Sequence, residues 1–77
     1  MEVEDFIRNF ASQFDETEVT AFQKNTKFRE LEEWSSLIAL SIISMVDEEY
    51  NVAIKGDDVR YSETIEDLYK KVKEKMQ

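Results

Sequence analysis

The side chains of this chain that could do chemistry are hydroxyls and carboxylates. There is no Cys and no His, which excludes thiol nucleophiles, Ser–His pairs, histidine metal sites and disulfides. Carboxylates are plentiful, with 18 Asp and Glu. Each group of them falls on a face expected to be solvated, without the buried, perturbed pair that acid–base catalysis needs. Asp47, Glu49 and Asn51 stand at positions 1, 3 and 5 of a would-be calcium loop. Such a loop needs Gly at position 6 and a bidentate Glu at position 12, where Val52 and Asp58 stand. A small enzyme and a calcium site are set aside on these grounds. The hydroxyls of interest are Ser35 and Ser36, at the head of an apolar helical run. A serine there is either a plain N-cap or an exposed acceptor that another enzyme can modify.

The charge pattern narrows the partners. The formal net charge is −8. Residues 30–58 hold eight acids and one base, Lys55, whereas the last turns carry Lys70, Lys71, Lys73 and Lys75. A surface this negative is a poor nucleic-acid ligand and suits a protein partner with a basic patch. The most apolar stretch, Leu37 to Val46, is ten residues long and includes two serines. A membrane span needs about 20 apolar residues, so none is expected. The acidic opening Met1-Glu2-Val3-Glu4-Asp5 lacks the basic-then-apolar order of a signal peptide. With the absence of Cys, this suggests a cytoplasmic protein.

The elements that must position the serines are helical. With 77 residues, no Pro and one Gly, Gly56, the chain reads as one small all-α domain, residues 1–77. Val3, Phe6, Ile7, Phe10, Ala11 and Phe14 form one stripe, predicting a first helix over Val3–Phe14. A long polar connector follows from Asp15 to Lys27, with Val19 and Phe22 as anchors, then Phe28 and Leu31. The second helix is predicted over Ser36–Tyr50, with Ser35 or Ser36 as its cap. At about 100° per residue, its Ala39, Ile42, Ile43, Val46 and Tyr50 face the core, while Ser41, Ser44 and Glu48 face out. Leu37 falls on that polar face, where an apolar side chain could dock into a partner.

Asn51 to Ile54 reads as extended, with Val52 and Ile54 inward. Gly56-Asp57-Asp58 starts a short third helix through Val59 and Tyr61. The last helix opens at Thr64, with Asp67 three residues on as a capping-box variant. Its stripe is Ile65, Leu68, Tyr69, Val72 and Met76.

The segment from Phe28 to Leu68 resembles the acyl carrier protein family. That family places a Phe eight residues before a serine followed by Leu or Ile, matched by Phe28 and Ser36-Leu37. A helix with an acidic end closes on an aromatic, matched by Asp47-Glu48-Glu49 and Tyr50. A short extended piece ends in Ile, matched by Val52-Ala53-Ile54. An acidic-started short helix and a Thr-initiated last helix follow, matched by Asp57-Asp58-Val59 and Thr64-Ile65-Glu66-Asp67-Leu68. The first helix and connector fit the layout more loosely.

The resemblance implies a small four-helix bundle of the acyl-carrier type, with a long first loop and a short third helix. It implies a covalent 4'-phosphopantetheine arm on Ser36, transferred from coenzyme A by a phosphopantetheinyl transferase. The protein would be a tether rather than a catalyst, holding acyl groups as thioesters on the arm for acyl-transferring or synthase enzymes with basic patches. An inner bundle space could shelter a short acyl chain, and a free monomer is the default for such a carrier. Leu37, Ile38, Ser41, Asp47, Glu48 and Asp57 are the implied partner-docking residues. The resemblance does not choose among fatty acid, polyketide, peptide and cell-surface polymer pathways.

Two departures stand out. Ser35 occupies the place of the family's usual Asp, which is linked to recognition by the transferase, and no Gly precedes it. Glu33 or Glu32 would have to supply that charge. Ile38 and Ser41 also fill positions often acidic in the family, so docking near the arm would lean on Leu37 and Ile38. The alternative is an unmodified acidic helical interaction module, a carrier that has lost its loading.

Overall fold

The computed structural model describes residues 2–76 and contains four α-helices; Met1, at the head of the acidic opening, lies outside the described residues. These are α1 (Val3–Ala11), α2 (Ser36–Tyr50), α3 (Gly56–Arg60) and α4 (Ile65–Lys75), with 3₁₀ turns at Val19–Ala21 and Phe28–Glu30. No strand occurs among the described residues. α1 packs on α2 and α4, and α3 also packs on α2 and α4. The helices therefore close a ring around one core: the all-α small bundle expected. No helix among the described residues is long and apolar enough to cross a membrane.

α1 ends three residues before the predicted Phe14. At Ser12 the backbone leaves the α pattern: Gln13 N–H donates to Phe10 O at 3.1 Å and Phe14 N–H to Ala11 O at 3.0 Å. The Ser12 hydroxyl also donates to Asn9 O at 2.7 Å, a local bond that competes with the helix ladder. Phe14 still points inward, its ring 5.7 Å from Phe10. The apolar stripe thus outlasts the helix that begins it.

The connector is tied down at several points. Phe22 is buried, its ring 4.8 Å from Phe14. Val19 is not the anchor predicted: it opens the first 3₁₀ turn and is 71% exposed. That turn instead brings Ala21 and Phe22 to the core. The Thr26 hydroxyl donates to Ala21 O at 2.7 Å and accepts from Gln23 N–H at 2.8 Å. Lys24 O and Thr26 O then accept the N–H groups of Glu66 and Ile65 at 3.0 and 3.2 Å. These are two of the donors that a helix start leaves without partners. A third, Asp67 N–H, donates to Thr64 Oγ1 at 3.2 Å, so the predicted cap forms and the connector completes it.

In α2, Ile42 and Val46 are buried, Ala39, Ile43 and Tyr50 are partly buried, and Met45 joins the core beyond the predicted set. Tyr50 Oη accepts from Asn9 Nδ2 at 2.8 Å, joining α2 to α1; burial pushes its phenol pKa up. Asn51 ends the helix in the left-handed region, at φ 56°, a conformation Asn tolerates better than most residues. Val52 and Ile54 turn inward as expected. In α3 only Val59 is buried. Tyr61, predicted within this helix, caps its end and is 73% exposed, and Met76 on α4 is 47% exposed. Both lie past the end of a helix, where the stripe no longer meets a facing element.

Phe28 is fully buried between Phe10 and Trp34, with ring centroids at 5.2 and 5.1 Å. Phe28→Ala should cost about 3–5 kcal/mol, a large part of the stability of so small a domain. Urea unfolding monitored by circular dichroism measures this, and a loss below about 1 kcal/mol would contradict the anchoring role.

Candidate functional site

The start of α2 divides its two serines between two tasks. Ser35 is the N-cap: its backbone is extended, at φ −157° and ψ 171°, and its Oγ accepts from Ile38 N–H at 3.2 Å. Ser36 is the first helical residue and is exposed. Its hydroxyl is therefore not spent on the cap. An Asp at position 35 would cap in the same way.

Ser36 lines an open cleft of about 390 Å³ with Arg29, Trp34, Ser35, Ala39, Val59 and Arg60. The second 3₁₀ turn delivers Arg29, and α3 delivers Val59 and Arg60. Trp34 is half-buried against Phe14 and Phe28, at 6.4 and 5.1 Å. Trp34 thus joins the aromatic core to the wall of the cleft. The two arginines were not among the residues predicted from sequence. They lie seven residues before and twenty-four after Ser36, and only folding brings them to one cleft.

Glu33 is tied to the start of the connector by three hydrogen bonds. Its carboxylate accepts from the backbone N–H groups of Asp15 and Glu16 at 2.7 and 3.0 Å and from the Thr17 hydroxyl at 2.6 Å. These bonds, that of Thr17 foremost, hold its pKa below the usual carboxylate range. The group fastens the start of the connector to its end. Glu32 is exposed.

The six predicted docking residues divide by position. Leu37 is 75% exposed and lines a groove between α1 and α2 with Leu40, Ser41, Ser44, Glu48 and Asn9. That groove has a volume of about 560 Å³. Leu40, 59% exposed, extends the apolar strip and was not predicted; its i+3 spacing from Leu37 is the signal that could have found it. Ile38 is half-buried and packs on the core, which takes it out of this groove. Asp47 is exposed at the far end of α2, and Asp57 lies on α3, its carboxylate 3.5 Å from Arg60. Of the three acids, Glu48 lines the groove and Asp47 and Asp57 do not. No group of three or more acidic side chains among the described residues is placed to hold a metal ion.

No family model, no curated protein and no solved structure matches this chain.

Two measurements check the local geometry. Ser35→Ala should lower stability by about 1 kcal/mol and Ser36→Ala by no more than about 0.5 kcal/mol, both read from denaturant midpoints; the reverse order would put the cap on Ser36. The pKa values of Glu33 and Asp67 are both lowered by the hydrogen bonds they accept, for Asp67 chiefly that of the Thr64 backbone. Their contribution is therefore present above the ordinary carboxylate range and is lost as pH falls through the lowered values. Glu33→Gln should reduce the thermal midpoint at neutral pH and bring the two proteins together once the pH has fallen through the lowered value. Parallel curves at all pH values would show that the Glu33 bonds contribute nothing.

Proposed function

We propose that this protein is an acyl carrier, with Ser36 as the attachment point of a 4'-phosphopantetheine arm. The observation that carries this reading is the division of labour at the head of α2. Ser35 takes the cap, and Ser36 keeps an exposed hydroxyl at the mouth of a cleft. A transferase can reach that hydroxyl without unfolding anything. The exposed first turn also leaves N–H groups and a partial positive charge near the phosphodiester that would form.

The residues present fit such a group. Arg29 and Arg60 provide positive charge at the cleft, and Trp34, Ala39 and Val59 provide an apolar wall. When bound, the arm would supply the thiol that the chain's own side chains lack. Its role would be to tether acyl groups as thioesters and present them to partner enzymes, the protein itself performing no catalysis. Leu37 and Leu40 would dock with the transferase or a synthase enzyme, and Glu48, Glu49 and Asp47 would meet its basic patch. The protein would act as a free cytoplasmic monomer, the cargo being set by its partners.

A second reading draws on the exposed Leu37–Leu40 strip. An unmodified interaction module would use the same groove and leave Ser36 bare.

Intact-mass measurement after incubation with coenzyme A and a broad-specificity phosphopantetheinyl transferase separates the two. The wild type and Ser35→Ala should gain one phosphopantetheine, and Ser36→Ala none. Ser35→Asp should load faster, because it restores the charge while keeping the cap. An adduct that survives Ser36→Ala would move the attachment site to another hydroxyl. No adduct on any form, including with a transferase from the source organism, would favour the unmodified module.

A further inference from the structure

The chain has three arginines, Arg8, Arg29 and Arg60, and two of them border the Ser36 cleft. In a protein of net charge −8 this is a local reversal of sign. Arg29 is held in place: its Nε donates to the backbone carbonyl of Ser62 at 3.3 Å. Ser62 is itself fully buried, and its hydroxyl donates to Asp58 O at 2.7 Å. The bond at Nε leaves the two terminal amino groups of the Arg29 fork for another acceptor. Arg60 faces Asp57 through Nη1 at 3.5 Å, with both side chains mostly exposed. An exposed pair of that length is weak and readily exchanged. Between the arginines the cleft is walled by Trp34, Ala39 and Val59.

The geometry points to a seat for a phosphate ester in this cleft, its phosphate held by Arg29 and Arg60 and its organic chain lying on Trp34, Ala39 and Val59. Guanidinium forks match phosphate oxygens in geometry and charge, and the apolar wall suits a short flexible chain. The ester can be free in solution or attached through Ser36. Only the attached form rests on the carrier reading; the free form stands on the cleft. Ala39 and Ser36 lie toward α3, whereas Leu37, Leu40 and Ser41 line the groove toward α1. An attached ester in the seat would occupy a different cleft from the groove that the exposed leucines line. The arm could then stay bound while that apolar strip engages a protein partner.

The test is a titration of the unmodified ¹⁵N-labelled protein with free 4'-phosphopantetheine, read by ¹H–¹⁵N spectra, with pantetheine lacking the phosphate as the control. The amides of Arg29, Ser36, Gly56, Val59 and Arg60 should shift saturably with the phosphate ester and not with pantetheine. Arg29→Gln and Arg60→Gln should each weaken binding roughly fivefold, with amides remote from the cleft unchanged as the check on folding. The same amides should shift in the protein loaded at Ser36. Equal shifts with pantetheine, or shifts indifferent to both substitutions, would overturn the seat. A loaded protein whose cleft amides do not move would overturn the seat and leave the carrier reading intact. Saturable, arginine-dependent binding in a protein that never acquires the mass adduct would support the seat and count against the carrier.

Discussion

The burial of Phe28 is the constraint on which the rest of this molecule depends. A 77-residue chain has little apolar mass, and a domain of this size buries only about 60% of its unfolded surface. Here much of the core is aromatic. Phe6, Phe10, Phe14, Phe22 and Phe28 form a continuous run of rings that Trp34 closes at one end. Phe28 belongs to a connector rather than to an α-helix, yet it is among the most buried side chains. Its burial fixes where the chain must be when α2 begins. The cap at Ser35, the exposure of Ser36 and the mouth of the cleft all follow from that anchor.

Polar groups complete what the rings begin. A connector of this length brings many backbone donors near the core, and each must find an acceptor. Glu33 takes two of them, near Asp15 and Glu16. In the other direction, Lys24 and Thr26 offer carbonyls to the first turn of α4. Among the described residues no buried side-chain nitrogen or oxygen is left without a partner. The same economy is visible at Asp58, whose carboxylate accepts from Lys55 N–H at 2.9 Å at the start of α3. Several acids that a charge count assigns to solvation or partner docking are thus engaged in holding backbone.

Much of the fold was legible because periodicity and capping are local. The span of α2, the inward turn of Val52 and Ile54, and the Thr64–Asp67 box all depend on residues within a few positions of one another. Failures arose where a pattern met a competing local bond or a distant fact. The α1 stripe continues to Phe14, but the Ser12 hydroxyl diverts the backbone first. Val19 and Met76 continue apolar patterns with no element opposite them. At the candidate site, the helix start at Ser36 and the outward face of Leu37 were legible from spacing. Arg29 and Arg60 were not, because nothing in either one's neighbourhood says that they share a cleft with Ser36. The bonds of Glu33 were hidden for the same reason: the donors it accepts from lie at positions 15–17, across the whole connector.

Trp34 has a consequence of another kind. It is the only tryptophan in the chain, and it stands at the boundary of two environments, packed on Phe14 and Phe28 on one side and lining the Ser36 cleft on the other. The protein therefore contains a single built-in fluorophore at the junction of its core and its candidate site. Loss of the core releases the indole to water. Any molecule that settles in the cleft covers its remaining open face and drives the emission the other way. One optical signal, without a label, thus distinguishes the folded chain, the unfolded chain and the chain with its cleft filled.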